Sequence, residues 1–278
     1  MIQLFHELSN HCSRLTTAKY STSFSTAIKL LHKDLQVHVH NIYGMVRFAD
    51  EIVDSFHGYE KELLLLEFKD ETYRAIERRI SLNPILHSFQ FTVNKYQIDS
   101  SLIEAFFCSM QNDLYETTYN VKGYNQYIFG SAEAVGLMCL SVFCEEDVIM
   151  YNQLKPYARA LGAAFQKVNF LRDVKQDREV LHRTYFPGVD FNNFTPGGKK
   201  AIEADIMQDF SKAYKGIILL PVKARFGVYV AYTYYLSLFK KIIRITPAEI
   251  LAQRVRLPNY SKALIVMRAG IRSQLNIL

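Results

Sequence analysis

Carboxylates repeated every four residues are the feature that most constrains this chain. The stretch VNFLRDVKQD, residues 168–177, carries Asn169, Asp173 and Asp177 inside an otherwise apolar helical pattern. A step of four residues turns a helix by only about 40°, so the three polar side chains should form one stripe. Like charges so placed repel by roughly 0.2–0.5 kcal/mol per pair on an exposed helix, and by more where water is excluded. The pattern therefore calls for a cation or a partner beside the stripe.

A second stretch, RFADEIVD at residues 47–54, repeats the arrangement with Asp50 and Asp54. Either stretch alone is more simply explained as a solvated helix face, but two copies beside strongly apolar sequence favour a site. If the two stripes face each other, they make a cluster of four carboxylates. Oxygen ligands without thiolates or nearby imidazoles suit Mg²⁺ held partly by water and partly by substrate phosphates. The sequence thus predicts a substrate that carries a diphosphate.

Composition and charge narrow the class of protein further. The net charge is +6, but the basic residues are scattered and no nucleic-acid motif accompanies them, so we expect no nucleic-acid partner. The four cysteines show neither C-x-x-C spacing nor a disulfide-dense pattern, which is typical of a reducing cytoplasm. The N-terminus does not resemble a signal peptide, and the most apolar windows, residues 134–143 and 226–239, fall short of the roughly 20 residues that span a bilayer. We therefore expect a cytoplasmic protein with peripheral membrane contact.

Apolar residues recur at helical spacing along most of the chain. Residues 34–56, 147–177, 199–222 and 225–245 read as long helices, and Ser21 and Ser23 stand where helix caps are expected. We expect the polar positions of the helix over residues 102–115, which include Asp113, to lie at the surface. The segment after residue 246 contains five basic residues and one acidic residue, Glu249. This excess of positive charge fits either attraction to anionic lipid or a solvated basic helix.

Five segments resemble, in order, the squalene and phytoene synthase family. They are YSTSF at residues 20–24, residues 43–54, YIFGSAEAVGLM at 127–138, residues 166–177 and RTYFP at 183–187. The resemblance implies an all-α isoprenoid synthase fold, with one domain over residues 1–278 whose helices surround an apolar cavity. It also implies head-to-head condensation of two prenyl diphosphates through a cyclopropylcarbinyl diphosphate.

The motifs DEIVD, VGLM and RTYFP look more like those of bacterial phytoene synthases, which implies two geranylgeranyl diphosphates, phytoene and carotenoid biosynthesis. Two alternatives stay open. One is a squalene or dehydrosqualene synthase that uses two farnesyl diphosphates. The other is a catalytically silent helical partner protein whose acidic stripes are surface features.

The resemblance assigns roles to particular residues. Expected ligands of Mg²⁺, or of Mn²⁺, are Asp50, Asp54, Asn169, Asp173 and Asp177, while NADPH is not expected. Expected contacts to diphosphate are Ser21, Ser23, Arg47, Gln166, Asn169, Arg172 and Arg254, with Arg47 counted among the catalytic residues. Expected contacts to the prenyl chains or the carbocation are Phe24, Tyr43, Tyr127, Phe129, Ala132, Gly136 and Tyr235. Tyr185, together with Arg183, is expected on a mobile flap over the site, and Tyr20 stands where relatives often carry histidine.

Overall fold

Helices make up nearly all of the molecule, as the sequence predicts. The structure is a computed structural model that describes residues 2–274; Met1 and residues 275–278, part of the expected single domain, lie outside the described residues. Helical residues amount to 81% of the chain, and the described part contains no strand. The first seven helices are α1 (Ile2–Tyr20), α2 (Thr22–Ile28), α3 (Lys33–Ser55), α4 (Lys61–Arg78), α5 (Pro84–Tyr96), α6 (Ser100–Tyr115) and α7 (Val121–Ile128).

The remaining helices follow a single π-helical turn, Phe129–Glu133. They are α8 (Ala134–Cys144), α9 (Val148–Glu179), α10 (Pro196–Ile217), α11 (Val222–Arg244), α12 (Pro247–Ala252) and α13 (Asn259–Gln274). A 3₁₀ turn, Phe191–Asn193, interrupts the connection between α9 and α10.

Polar caps set most of the helix starts. Ser21, Asp99 and Asp147 each accept a hydrogen bond from a backbone N–H of the helix that follows, which satisfies a donor left over at its first turn. The cap expected at Ser21 is therefore present.

The two acidic stretches lie on two helices that anchor separate parts of the core. α3 packs against α1, α5 and α8, and its Leu35, Ile42 and Met45 are fully buried. α9 packs against α8, α10 and the π turn, with Val168 and Leu171 fully buried. Burial of apolar faces on both helices fixes the orientation of the acidic faces between them.

One helical run in the described residues, Val121–Cys144, is long and apolar enough to cross a membrane by length and composition. This run is longer than the apolar window expected at residues 134–143, because α7, the π turn and α8 join into one run of 24 residues. Within the most apolar window, 56% of the residues are buried against the rest of the protein. This run accordingly serves as a core helix in the fold.

The π turn brings its backbone against two neighbouring helices. A Cβ atom added at Gly130 would lie 2.1 Å from the backbone oxygen of Ala105 in α6, and one at Gly162 of α9 would lie 2.8 Å from that of Ala132. Neither separation leaves room for a side chain. Because both positions are glycine, the π turn that carries Ala132 can pack directly against α6 and α9.

We predict that Gly130→Ala destabilises the protein by roughly 1–3 kcal/mol or more, because the backbone must move to admit the methyl group. Gly270→Ala is the matched control: Gly270 lies in α13 with nothing within 4 Å of an added Cβ atom. There alanine should be neutral or stabilise by up to about 1 kcal/mol. Urea denaturation of both variants measures the difference, and equal stability would contradict the packing argument.

Candidate active site

A cavity of about 460 Å³ lies between α3 and α9. Helices α2, α8, α10 and α11 and the π turn complete its walls. Its lining along α3 runs from Val39 to Asp50 and along α9 from Leu154 to Arg172. At about 1.5 Å per residue these stretches are roughly 17 and 27 Å long. The cavity therefore extends along both helices.

The character of the lining changes along that length. Near the starts of α3 and α9 the lining side chains are apolar, among them Val39, Leu154 and the buried Leu140 and Leu220. Near the ends of the same helices the lining is polar and charged. The polar lining residues there are Tyr43, Arg47, Asp50, Gln166, Asn169, Arg172 and Arg254. An amphiphile with a long apolar tail and an anionic head matches this distribution.

The two acidic stripes face each other at the polar end. Burial, followed by the charge of Asp54, raises the pKa of Asp50 to about 8. Burial, followed by the charges of Asp173 and of Asp54 on the opposite helix, raises the pKa of Asp177 to about 8. Since Asp54 raises the pKa of a carboxyl group on the facing helix, the stripes are close enough to repel each other across the site.

Four arginines offset part of this negative charge. Arg47 pairs with Asp50 at 3.7 Å and also with Glu51, and its guanidinium carbon lies 4.4 Å from the centroid of the Tyr20 ring. Arg172 donates to Asp173 at 3.0 Å, and Arg254 forms a salt bridge with the same carboxylate at 2.7 Å. Arg183 donates to Asp54 at 3.0 Å. Arginine side chains so placed can also receive an anionic oxygen.

The donor set fits a hard divalent cation. Asn169 Oδ1 is buried and has no hydrogen-bond partner, on the same stripe as two carboxylates. No group of three or more His, Cys, Asp or Glu side chains within residues 2–274 is arranged to hold an ion unaided. These oxygens therefore suit Mg²⁺ that takes its remaining ligands from water and from a phosphorylated substrate.

The sequence analysis missed a buried network centred on Asp113. This residue is only 8% exposed, contrary to the surface position expected for it. Its carboxylate accepts hydrogen bonds from Tyr127 at 2.5 Å, Tyr119 at 3.3 Å and Tyr185 at 3.4 Å. Ile103, Phe106, Met110 and Asp113 are spaced by three or four residues, so the periodicity does place Asp113 on the apolar face of α6. That spacing was the available signal.

Arg183 connects the network to the acidic stripe. It donates to the backbone oxygen of Asp113 at 2.8 Å and to the carboxylate of Asp54 at 3.0 Å. Burial raises the pKa of Asp113 to about 7, although the guanidinium of Arg183 opposes the change. Arg183 and Tyr185 are 6% and 7% exposed, so both side chains lie inside this network, and the expectation of a mobile flap stays a prediction.

Most of the site residues named from the sequence lie on the cavity wall. They are Ser21, Phe24, Tyr43, Arg47, Asp50, Ala132, Gly136, Gln166, Asn169, Arg172, Tyr235 and Arg254. Asp54, Asp173 and Asp177 belong to the facing stripes at its polar end. Ser21 lies on the wall and also caps α2, while its contact with diphosphate stays a prediction.

Four of the named residues belong neither to the wall nor to the facing stripes. Ser23 is absent from the lining, because it lies about 90° around α2 from the face whose Phe24 lines the cavity. The ring of Phe129 lies 5.2 Å from the guanidinium of Arg159 instead. Tyr127 and Tyr185 point into the aromatic cluster around Asp113, where Tyr185 stacks on Phe170 at 4.0 Å. Lining residues that sequence reasoning missed include Cys139, Phe143, Tyr157, Gly216 and Gly227.

The helices and the two-stripe cavity define an isoprenoid synthase fold of the head-to-head type. A solved structure described as a dehydrosqualene synthase in complex with ligand matches it with a TM-score of 0.82 at 17% identity, covering 98% of both chains. The family model for squalene/phytoene synthase matches residues 17–261. This chain belongs to the squalene/phytoene synthase family, and it is a prenyltransferase of that family.

Curated relatives include more than one product type. The chain is 25% identical to a phytoene synthase of Arthrospira platensis over 291 aligned positions, which cover 94% of this chain and 92% of that protein. It is 26% identical to a 4,4'-diapophytoene synthase of Staphylococcus haemolyticus, over 68% of this chain and 66% of that protein. Similarity alone therefore leaves the length of the prenyl substrate open.

We predict that Asp113→Ala destabilises the protein by about 3 kcal/mol, because it leaves three buried hydroxyl groups without an acceptor and removes the carboxylate 3.7 Å from the buried guanidinium of Arg183. Glu104→Ala is the control, since it breaks the solvent-exposed pair with Lys69, 2.7 Å apart. That change should cost at most about 1 kcal/mol. Urea denaturation compares the two variants, and similar losses would show that the network is not a structural anchor.

The acidic stripe should also make the ligand-free protein less stable as the pH rises. Asp50 has a pKa of about 8 in the fold, above its ordinary value, so the fold favours the neutral carboxyl group. The free energy of unfolding should therefore decrease as pH rises from about 4 towards 8. Asp50→Asn removes this contribution and should raise the melting temperature at pH 8 by about 2–4 °C, a modest value because water reaches the cavity.

Melting curves at pH 5 and pH 8 in the presence of a chelator test this expectation. The advantage of Asp50→Asn should be larger at pH 8 than at pH 5. Asp70→Asn on the exposed face of α4 serves as the control and should show no such trend. A pH-independent effect of Asp50→Asn would contradict the assignment of the repulsion to this carboxylate.

Proposed function

We propose that this protein condenses two molecules of geranylgeranyl diphosphate head to head into phytoene, as a cytoplasmic enzyme of carotenoid biosynthesis. The observation that carries the proposal is the pair of acidic stripes facing each other at the polar end of a long apolar cavity. Two diphosphate groups and their cations would occupy the polar end. The two hydrocarbon chains would extend along the apolar walls.

Asp50, Asp54, Asn169, Asp173 and Asp177 would hold Mg²⁺, and Mn²⁺ could take its place. The ions would supply positive charge that neutralises the diphosphate as it leaves. Arg47, Arg172 and Arg254 would bind the diphosphate oxygens, with Ser21 and Gln166 as further polar contacts. By fixing both diphosphates, these side chains would bring C1 of one substrate to the C2–C3 double bond of the other.

The walls would serve the cationic steps of the reaction. Breaking the C1–O bond of the first substrate releases diphosphate and an allylic cation, which the double bond of the second substrate attacks. Loss of a proton to the departing diphosphate closes the cyclopropane ring. Phe24, Tyr43 and Tyr235 would present ring faces to the positive charge, and the apolar lining would exclude water that could quench it.

A second loss of diphosphate, rearrangement and loss of a proton would then yield the linear product. With no reductant this product keeps its central double bond, so the proposal does not involve NADPH. The alternative is a C30 product, dehydrosqualene or squalene, from two farnesyl diphosphates. The relative named 4,4'-diapophytoene synthase and the structural match described as a dehydrosqualene synthase favour keeping this alternative.

Product analysis by mass tests the proposal directly. The purified protein is incubated with Mg²⁺ and either the C15 or the C20 diphosphate, with and without NADPH. We expect a C40 hydrocarbon from the C20 substrate, with no change of mass when NADPH is added. A C30 product alone would favour the alternative, and no release of diphosphate from either substrate would favour a silent partner protein.

We predict that Asp54→Asn and Asp173→Asn each lower turnover by roughly 10²-fold or more, because each removes a charged ligand from the ion that neutralises the leaving group. Asp70→Asn, an exposed acid on α4, is the matched control and should retain full turnover. Diphosphate release is measured across a range of Mg²⁺ concentrations, with melting curves to establish that each variant is folded. Folded variants with normal turnover would refute the assignment.

A further inference from the structure

The outer face of α13 carries an apolar stripe that the proposed reaction does not use. Tyr260, Leu264, Met267 and Ile271 are 71%, 40%, 56% and 51% exposed. Their spacing of four, three and four residues places them within about 60° of one another around the helix axis. Exposed apolar residues scattered singly are ordinary, but four in one row form a contiguous surface.

The opposite face of α13 holds the helix in place. Ile265 and Ala269 are buried, and the helix packs against α11. Arg272 donates to the hydroxyl of Tyr229 in α11 at 3.2 Å. The exposed stripe is therefore not the packing face of α13, because that face is already buried against α11. It is a second apolar face on a helix that is already packed.

The charges around the stripe indicate what covers it. Between residues 240 and 272 the chain has eight lysines and arginines and a single acid, Glu249. The Glu249 carboxylate is engaged by the backbone N–H and hydroxyl of Thr246 at the start of α12. Arg268 is exposed and lies only about 40° around the helix from Leu264. An apolar row bordered by Arg268, in a segment with an excess of positive charge, matches a bilayer with anionic headgroups.

A second copy of this chain would fit the same surface less well. A two-fold symmetric contact would place the same basic residues of both copies against each other. Like charges brought together across an interface repel and disfavour that pairing. An anionic membrane instead supplies the opposite charge together with an apolar layer.

The stripe also lies on the helix that reaches the polar end of the cavity. Lys262 of α13 lies 3.4 Å from the hydroxyl of Thr22 and 5.9 Å from the centroid of the Tyr234 ring. These two residues are the direct neighbours of Ser21 and Tyr235, which line the cavity. Lys262 lies on the side of α13 opposite the stripe, so a membrane bound to the stripe would lie about one helix diameter, roughly 10 Å, from the charged end of the cavity.

We propose that α13 docks this protein on the surface of an anionic bilayer through Tyr260, Leu264, Met267 and Ile271. Docking there would let a membrane-dissolved amphiphile pass to the cavity without crossing bulk water. The docking itself stands on the surface of α13, whereas its use for substrate transfer rests on the proposed function. Membrane binding can therefore be tested without any substrate.

The test is flotation of the full chain with vesicles of phosphatidylcholine alone or mixed with phosphatidylglycerol. The variant Leu264→Gln/Met267→Gln removes the centre of the stripe. The matched control is Leu63→Gln/Leu66→Gln on α4, which has the same spacing and exposures of 46% and 55%. A third variant, Arg268→Glu, reverses one flanking charge.

We expect the wild type and the α4 control to float with the anionic vesicles and to bind less at high salt. The α13 double variant should need at least about tenfold more lipid to reach the same bound fraction of protein. Arg268→Glu should weaken binding to the anionic vesicles and leave any binding to neutral ones unchanged. Melting curves should show that all variants are folded, since the substituted side chains are exposed.

Three results would overturn the proposal. The first is a wild type that does not bind anionic vesicles. The second is an α13 variant that binds as the α4 control does. The third is sedimentation showing a wild-type dimer that the α13 substitutions dissociate, which would assign the stripe to a second copy. Turnover of detergent-dispersed substrate should be the same for the α13 variant and the wild type, so a failure of the proposed function would be distinguishable.

Discussion

Repulsion between two facing rows of carboxylates is the constraint on which this structure depends. Asp50 and Asp54 on one helix and Asp173 and Asp177 on the other lie at the polar end of a cavity that is otherwise apolar. Burying like charges together costs free energy that the fold must recover elsewhere. Stability given up at this site is the usual sign of a site built to bind something of opposite charge.

The surrounding helices hold the rows in register. Each acidic helix buries its apolar face in its own part of the core, so neither can rotate to move its carboxylates into solvent. Arginines from three parts of the chain then pair with individual carboxylates without neutralising the whole cluster. Behind them, Asp113 and its tyrosines fix Arg183, and through it the position of Asp54. The site is therefore stiff on the side of α6.

The cavity and the outer surface share one chemical pattern. Inside, apolar walls lead to a charged end; outside, the apolar stripe of α13 is bordered by Arg268 in a segment with an excess of positive charge. A substrate with a hydrocarbon tail and an anionic head matches the inner pattern, and a bilayer made of such molecules matches the outer one. The same combination of apolar and charged groups would thus govern both substrate binding and docking on the membrane.

Sequence by itself determined the helical class and the pair of acidic stripes, because both depend on local periodicity, and residues four apart share a helix face wherever that helix goes. It also indicated the family, through five short segments in order. The spacing of α6 also indicated the buried face that holds Asp113, but only the tertiary structure decided that Arg183 and Tyr185 are held in its network. It likewise decided that Tyr127 and Phe129 turn away from the cavity and that α7 to α8 form one continuous run. Those facts depend on which helices pack together, and contacts between residues far apart in the chain leave no trace in local spacing.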